Sequence, residues 1–157
     1  MKSPEKSRFG KLVTYLLDPQ GKKKTRVGEV VITNCVSSDT TWALREIAAT
    51  QWLNTRAKSP RTYHLIISLK AGADPEAQTL RMIEERFCKA LGYAEHQRVS
   101  VVHHDTDNVH IHVAINKIHP RTLTLHDPIR ELYNAQDLRL KLENTLADMC
   151  LFQKKMR

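Results

Sequence analysis

Gln97-Arg-Val-Ser-Val-Val-His-His-Asp-Thr-Asp-Asn-Val-His-Ile-His-Val-Ala-Ile-Asn116 holds four of the chain's eight histidines. Its second half alternates. Val109, Ile111, Val113 and Ile115 fall on one parity, His110 and His112 on the other. Strand side chains point to opposite faces in turn, so this pattern predicts a strand with one apolar face and both imidazoles on the reverse. The first half, Gln97–His104, also alternates toward a strand. Between them lie Asp105-Thr-Asp-Asn108, turn formers at hairpin length. If residue 104 pairs with 109, His103 stands opposite His110 and diagonal to His112, on one face. Directly opposed residues lie about 5 Å apart and diagonal ones about 7–8 Å. Three imidazoles can then converge on one ion, with positions left for water or a substrate oxygen. An isolated His-x-His in a strand is as often structural as functional; the addition of His103 in register makes His103, His110 and His112 the expected metal ligands. His104 falls on the other face, as a bystander.

Length and charge bound the remainder. A chain of 157 residues has room for one domain with an ordinary core, expected over residues 1–157. No apolar run approaches the ~18 residues of a membrane span. Met1-Lys-Ser-Pro-Glu-Lys6 leads into an amphipathic segment and does not read as a signal peptide. Cys35, Cys88 and Cys150 are far apart and odd in number, without zinc-finger spacing, which suggests a reducing compartment. A net charge of +8 favours a polyanionic partner, although net charge alone is a weak signal. Basic residues gather at Lys2–Lys11, Lys22–Arg26, Arg56–Arg61 and Lys154–Arg157. Lys22, Lys23, Lys24, Arg56, Arg61 and Arg98 are the expected phosphate contacts. A solvated basic surface is the plain alternative for any single cluster.

The remaining periodicities predict an α+β domain, with helices flanking a mainly antiparallel five-stranded sheet. A helix is expected over 7–18, where Phe9, Leu12, Val13 and Leu16 share a face. A strand follows at 27–33, then a helix over 40–54 capped by Ser38 or Asp39, with Trp42, Ile47 and Ala48 inward. A strand at 62–70 and a helix from Asp74 to Leu91, stopped by Gly92, precede the histidine strands. A short fifth strand is expected at 122–126 and a last helix over about 134–153. On the first helix Tyr15 lies about 60° from Leu12, at the edge of the apolar stripe. Most such tyrosines are packing residues; a three-histidine site on a basic domain gives this one chemical interest, because a phenol can attack phosphorus and form a covalent link.

Taken together, these residues resemble a known family: the relaxase domain of the MOBP group, similar to the TraI relaxases of IncP plasmids, which belong to the HUH class of DNA strand transferases. Three motifs carry the resemblance. Phe9-Gly-Lys-Leu-Val-Thr-Tyr-Leu-Leu-Asp-Pro-Gln-Gly21 looks like the nucleophile motif, with Tyr15 attacking. Tyr63-His-Leu-Ile-Ile-Ser68 is similar to the motif whose serine holds DNA near the nick. His103–Asn116 looks like the metal motif. Thr33-Asn-Cys35 and Glu95–Ser100 match as well. Full relaxases continue far beyond this length, so the resemblance implies the N-terminal part of a longer protein.

The resemblance implies a conjugative relaxase that nicks one strand of origin-of-transfer DNA. Tyr15 would form a 5′-phosphotyrosyl intermediate and leave a 3′-hydroxyl able to rejoin. A divalent ion on His103, His110 and His112 would polarise the scissile phosphate. Asp105 is the candidate for orienting a ligand histidine or influencing the tyrosine proton. Mg²⁺ or Mn²⁺ is implied by the family, whereas three imidazoles by themselves favour zinc, copper, iron or nickel. Single-stranded origin DNA, relaxosome accessory proteins and a coupling protein are the implied partners, in the bacterial cytoplasm. Within the HUH class the rivals are a rolling-circle replication initiator and a transposase, in which the tyrosine usually follows the histidines; here Tyr15 precedes them. Outside that class stand a three-histidine zinc hydrolase and a non-catalytic, metal-stabilised DNA-binding module.

Overall fold

The computed structural model describes residues 4, 7–17, 26–104, 108–145 and 151–155. Its elements are α1 (Arg8–Leu17), β1 (Val27–Thr33), α2 (Thr40–Leu53), β2 (Thr62–Ser68), α3 (Ala77–Ala90), β3 (Arg98–His104), β4 (Val109–Asn116), α4 (Leu132–Thr145) and β5 (Leu151–Lys155). The strands form one sheet in the order β1-β3-β4-β2-β5, every pair antiparallel. The α+β architecture expected from the periodicities is present.

Strand alternation divides the core in two. Val109, Ile111, Val113 and Ile115 of β4 join Tyr63, Leu65 and Ile67 of β2 on one face. There they meet Leu80, Ile83 and Phe87 of α3 and Ala135 and Leu142 of α4. On the other face Val99, Val101 and Ala114 meet Phe9, Val13 and Leu16 of α1 and Leu44 and Ile47 of α2. Each fully buried aliphatic or aromatic side chain contributes about 1.5–3 kcal/mol through area removed from water. The histidine face of β4 therefore lies under α1 and α2, and this placement decides the site.

Local chemistry starts and stops the helices. Asp39 caps α2, its Oδ1 accepting from the Trp42 amide at 3.0 Å. After α3, Gly92 takes φ +81°, and a Cβ there would stand 2.6 Å from Nε2 of His126. The left-handed backbone calls for glycine, and a Cβ there would also displace the His126 ring.

Two elements differ from expectation. Residues 122–126 form no strand; Leu125 makes a single bridge to Ile118. Leu123 adopts φ +56°, which breaks the extended backbone that a ladder needs. The fifth strand is β5, which adds to the edge of β2 between His64↔Lys155 and Ser68↔Leu151. That segment falls partly inside the helix expected over 134–153, which ends as α4 at Thr145. An unpaired strand edge recruits a segment by backbone hydrogen bonds, which side-chain periodicity does not announce. Trp42, expected inward, is exposed, because α2 buries Ala43, Leu44, Ile47, Ala48 and Thr50. Arg45 instead lays its guanidinium 4.6 Å over the Trp42 ring. Among the described residues no helix is long and apolar enough to cross a membrane.

Candidate active site

β3 and β4 pair with His104 opposite Val109 and His103 opposite His110. His103, His110 and His112 thus share the α1/α2 face. The His103 and His112 rings lie 4.4 Å apart between centroids, and those of His110 and His112 6.1 Å. His103 is only 1% exposed. Its Nε2 donates to the carbonyl of Leu16 at 2.7 Å. A carbonyl only accepts, so neutral His103 carries its proton on Nε2 and its lone pair on Nδ1. This bond also fastens the end of α1 to the histidine cluster, one residue from Tyr15. Burial, reinforced by His103, His64 and His110 around it, pushes the His112 imidazole down to about 3. It stays neutral at pH 7, the state in which an imidazole binds a metal.

Among the described residues no three histidine, cysteine, aspartate or glutamate side chains are grouped so that they could hold a metal ion as they stand. The donors nevertheless suit one: three imidazoles on one sheet face, with His112 held neutral by its burial and with His110 and His112 partly exposed. Asp105 lies outside the described residues, as do Lys22, Lys23 and Lys24. His104 is exposed on the opposite face and packs over Gly28, where a Cβ would meet its Nε2 at 2.6 Å.

Tyr15 projects from α1 with 52% of its surface exposed. It lines a cleft of about 470 Å³ with Arg8, Lys11, Leu12, Thr62 and His64. His64 lies 6% exposed at the cleft wall, its Nε2 3.1 Å from Nδ1 of His112. The cleft of the tyrosine and the histidine cluster therefore share a wall residue. Sequence reasoning passed over His64 as a site residue. Its signal was the alternation that sets it with Ile66 and Ser68 on one face of β2.

The other tyrosines are placed differently. Tyr63 and Tyr93 are fully buried, and burial pushes both phenols far above the usual tyrosine range. Tyr133 is exposed, but it belongs to α4, on the face away from the histidines.

The expected DNA contacts separate. Ser68 Oγ stands 2.8 Å from Nδ1 of His110, so its hydroxyl meets a histidine of the cluster. Arg56 is exposed. Arg61 is partly buried, and its Nη2 donates to the carbonyls of Asn54 and Ala57 at the end of α2. It still lines a second cleft with Arg8, Lys58 and Thr62, so Arg8 and Thr62 belong to both clefts. Arg98 needs correcting as a DNA contact. It is 3% exposed and pairs with the buried Glu84, Nε to Oε1 at 2.6 Å. Strand alternation turns it toward α3, and Ser100 Oγ donates to the same carboxylate at 2.8 Å. Removing one partner of a buried, hydrogen-bonded pair strands the other charge, so Arg98→Ala should cost about 3–5 kcal/mol of stability. Urea denaturation checks this; a loss below about 1 kcal/mol would mean that the pair is hydrated.

A family model described as relaxase, MobA/VirD2-like, nuclease domain, matches residues 15–146. The match takes in Tyr15, Ser68 and the three histidines.

The chain belongs to this relaxase family.

This relaxase domain is 52% identical to Protein TraI from Escherichia coli over 143 residues, which cover 91% of the chain and 19% of that relative. A second Escherichia coli Protein TraI is 56% identical over 128 residues, 82% of the chain and 17% of the relative. Protein MobA from Acidithiobacillus ferrooxidans is 33% identical over 85 residues, 46% of the chain and 21% of the relative. The domain thus spans about a fifth of the length of the relatives it matches. No solved structure matches it significantly.

Proposed function

We propose that this relaxase domain nicks single-stranded origin-of-transfer DNA with Tyr15 as the nucleophile. The observation that carries the reading is the shared wall: Tyr15 and His64 line one cleft, and His64 touches His112. The Tyr15 oxygen attacks phosphorus and loses its proton. The bond from phosphorus to the 3′ oxygen breaks, and that oxygen takes up a proton. One phosphodiester replaces another, so the step reverses without ATP, and the 3′-hydroxyl can rejoin the strand. A divalent ion held by His103, His110 and His112 would neutralise charge on the scissile phosphate. Mg²⁺ or Mn²⁺ is the ion in use by family resemblance. Asp105, which follows His104 in sequence, would orient a ligand histidine or influence the Tyr15 proton.

The chain's own residues supply the rest. Arg8 and Lys11 beside Tyr15, with Lys58 and Arg61 in the adjoining cleft, form a cationic track for the backbone. None of the described residues lining either cleft is a carboxylate. Ser68 remains a candidate for holding DNA at the nick, and Lys22, Lys23, Lys24 and Arg56 for further phosphate contacts. Relaxosome accessory proteins and a coupling protein are the partners this function requires, with the bacterial cytoplasm as its compartment.

Incubation with supercoiled DNA bearing the origin of its own replicon tests the reading. The expected product is nicked DNA with protein covalently attached. A hydrolase would release free ends, and a binding module would leave the DNA intact. Affinity for single strands should also fall steeply with salt. Neutralising one phosphate-binding lysine, as in Lys11→Gln or Lys58→Gln, should lower the log-log salt slope by about 0.7. Slopes measured by fluorescence anisotropy that do not move in either variant would remove those residues from the DNA track.

A further inference from the structure

β2 runs antiparallel to β4 with Ser68 opposite His110 and Ile66 opposite His112. His64, Ile66 and Ser68 share a face by alternation, the face of the histidine cluster. Ser68 Oγ lies 2.8 Å from Nδ1 of His110, and Nε2 of His64 lies 3.1 Å from Nδ1 of His112. β2 thus engages the same ring nitrogen of both β4 histidines. His103 is arranged in the opposite sense, with Nε2 on the Leu16 carbonyl.

This pattern has a chemical consequence. A neutral imidazole has one proton to place, and the nitrogen that carries it cannot bind a metal. A partner that accepts from Nδ1 sends the lone pair to Nε2 and fixes the plane of the ring. We propose that β2 is the orienting strand of the metal site: His64 and Ser68 accept the Nδ1 protons of His112 and His110 and commit both rings to coordination through Nε2. The inference rests on the metal reading given above. His64 and Ser68 are positioning residues in this role; they act through the histidines they hold. It gives Ser68 a task beyond DNA, and it explains why the buried polar His64 occupies a wall position that an apolar side chain would fill at less cost.

Titration calorimetry with Mn²⁺ on the whole chain tests the proposal without reference to nicking. His64→Ala and Ser68→Ala should each weaken Mn²⁺ binding by about 10–100-fold, the usual effect of losing a group that orients a ligand. His64→Gln, whose amide oxygen accepts from Nδ1–H, and Ser68→Thr, which keeps the hydroxyl, should stay within a few-fold of wild type. A merely structural role would not follow hydrogen-bond acceptance in this way. Circular dichroism checks that each variant folds; if His64→Ala does not, the small change Ser68→Ala decides. Wild-type affinity in a folded alanine variant overturns the assignment, as does failure of the conservative pair to restore binding. His112→Ala separates the two levels. If it loses Mn²⁺ while the alanine variants of β2 keep it, only the orienting role falls. If it binds Mn²⁺ as wild type does, the metal reading falls with it.

Discussion

Tyr15→Phe should abolish covalent attachment to origin DNA while leaving affinity for the single strand within a few-fold. The substitution removes one oxygen and keeps a ring that is already half exposed on α1. No other tyrosine is placed to take over. Tyr63 and Tyr93 are buried, and the Tyr93 hydroxyl donates to the His126 carbonyl at 2.9 Å. Tyr133 stands on α4, across the sheet. A denaturant-stable protein–oligonucleotide band on a gel reports the adduct directly. The same band from Tyr15→Phe would sink the assignment and turn attention to Tyr133.

The second large effect is expected at His112. It lies between the other histidines of the cluster and touches His64. His112→Ala should reduce metal affinity by at least the about 10–100-fold that losing an orienting partner costs. Metal-dependent nicking should fall with it. His104→Ala is the internal control, since His104 is exposed on the reverse face and packs over Gly28. It should leave Mn²⁺ affinity and nicking within a few-fold. Equal losses in the two variants would show that the histidines act through the fold of the hairpin and not through a shared ion.

Sequence alone determined the hairpin and its polarity. Strand alternation has a period of two, and a connection of only four residues between His104 and Val109 leaves little freedom of register. The pairing of His103 with His110 follows from local chemistry alone, and so does the apolar set on the reverse of β4. Four of the five expected strands, β1 to β4, lie within two residues of where periodicity places them. A cap at Ser38 or Asp39 was legible for the same reason, since such a bond spans three residues; the structure gives it to Asp39, on the Trp42 amide.

What sequence left undecided are pairings between distant segments. His64 and His112 are 48 residues apart, and Ser68 and His110 are 42 apart. Their contacts exist only because β2 inserts between β4 and β5. Arg98 belongs to a basic chain and reads as a phosphate contact until α3 brings Glu84 over it. β5 carries no periodic signal that separates it from the preceding helix; the open edge of β2 recruits it through backbone bonds. The shared wall of the Tyr15 cleft is a tertiary decision too. It needs α1 on the histidine face of the sheet, held there by Phe9, Val13 and Leu16 against Val99, Val101 and Ala114. Local periodicity records which face of an element is apolar; which distant face covers it is settled by the packing of the whole chain.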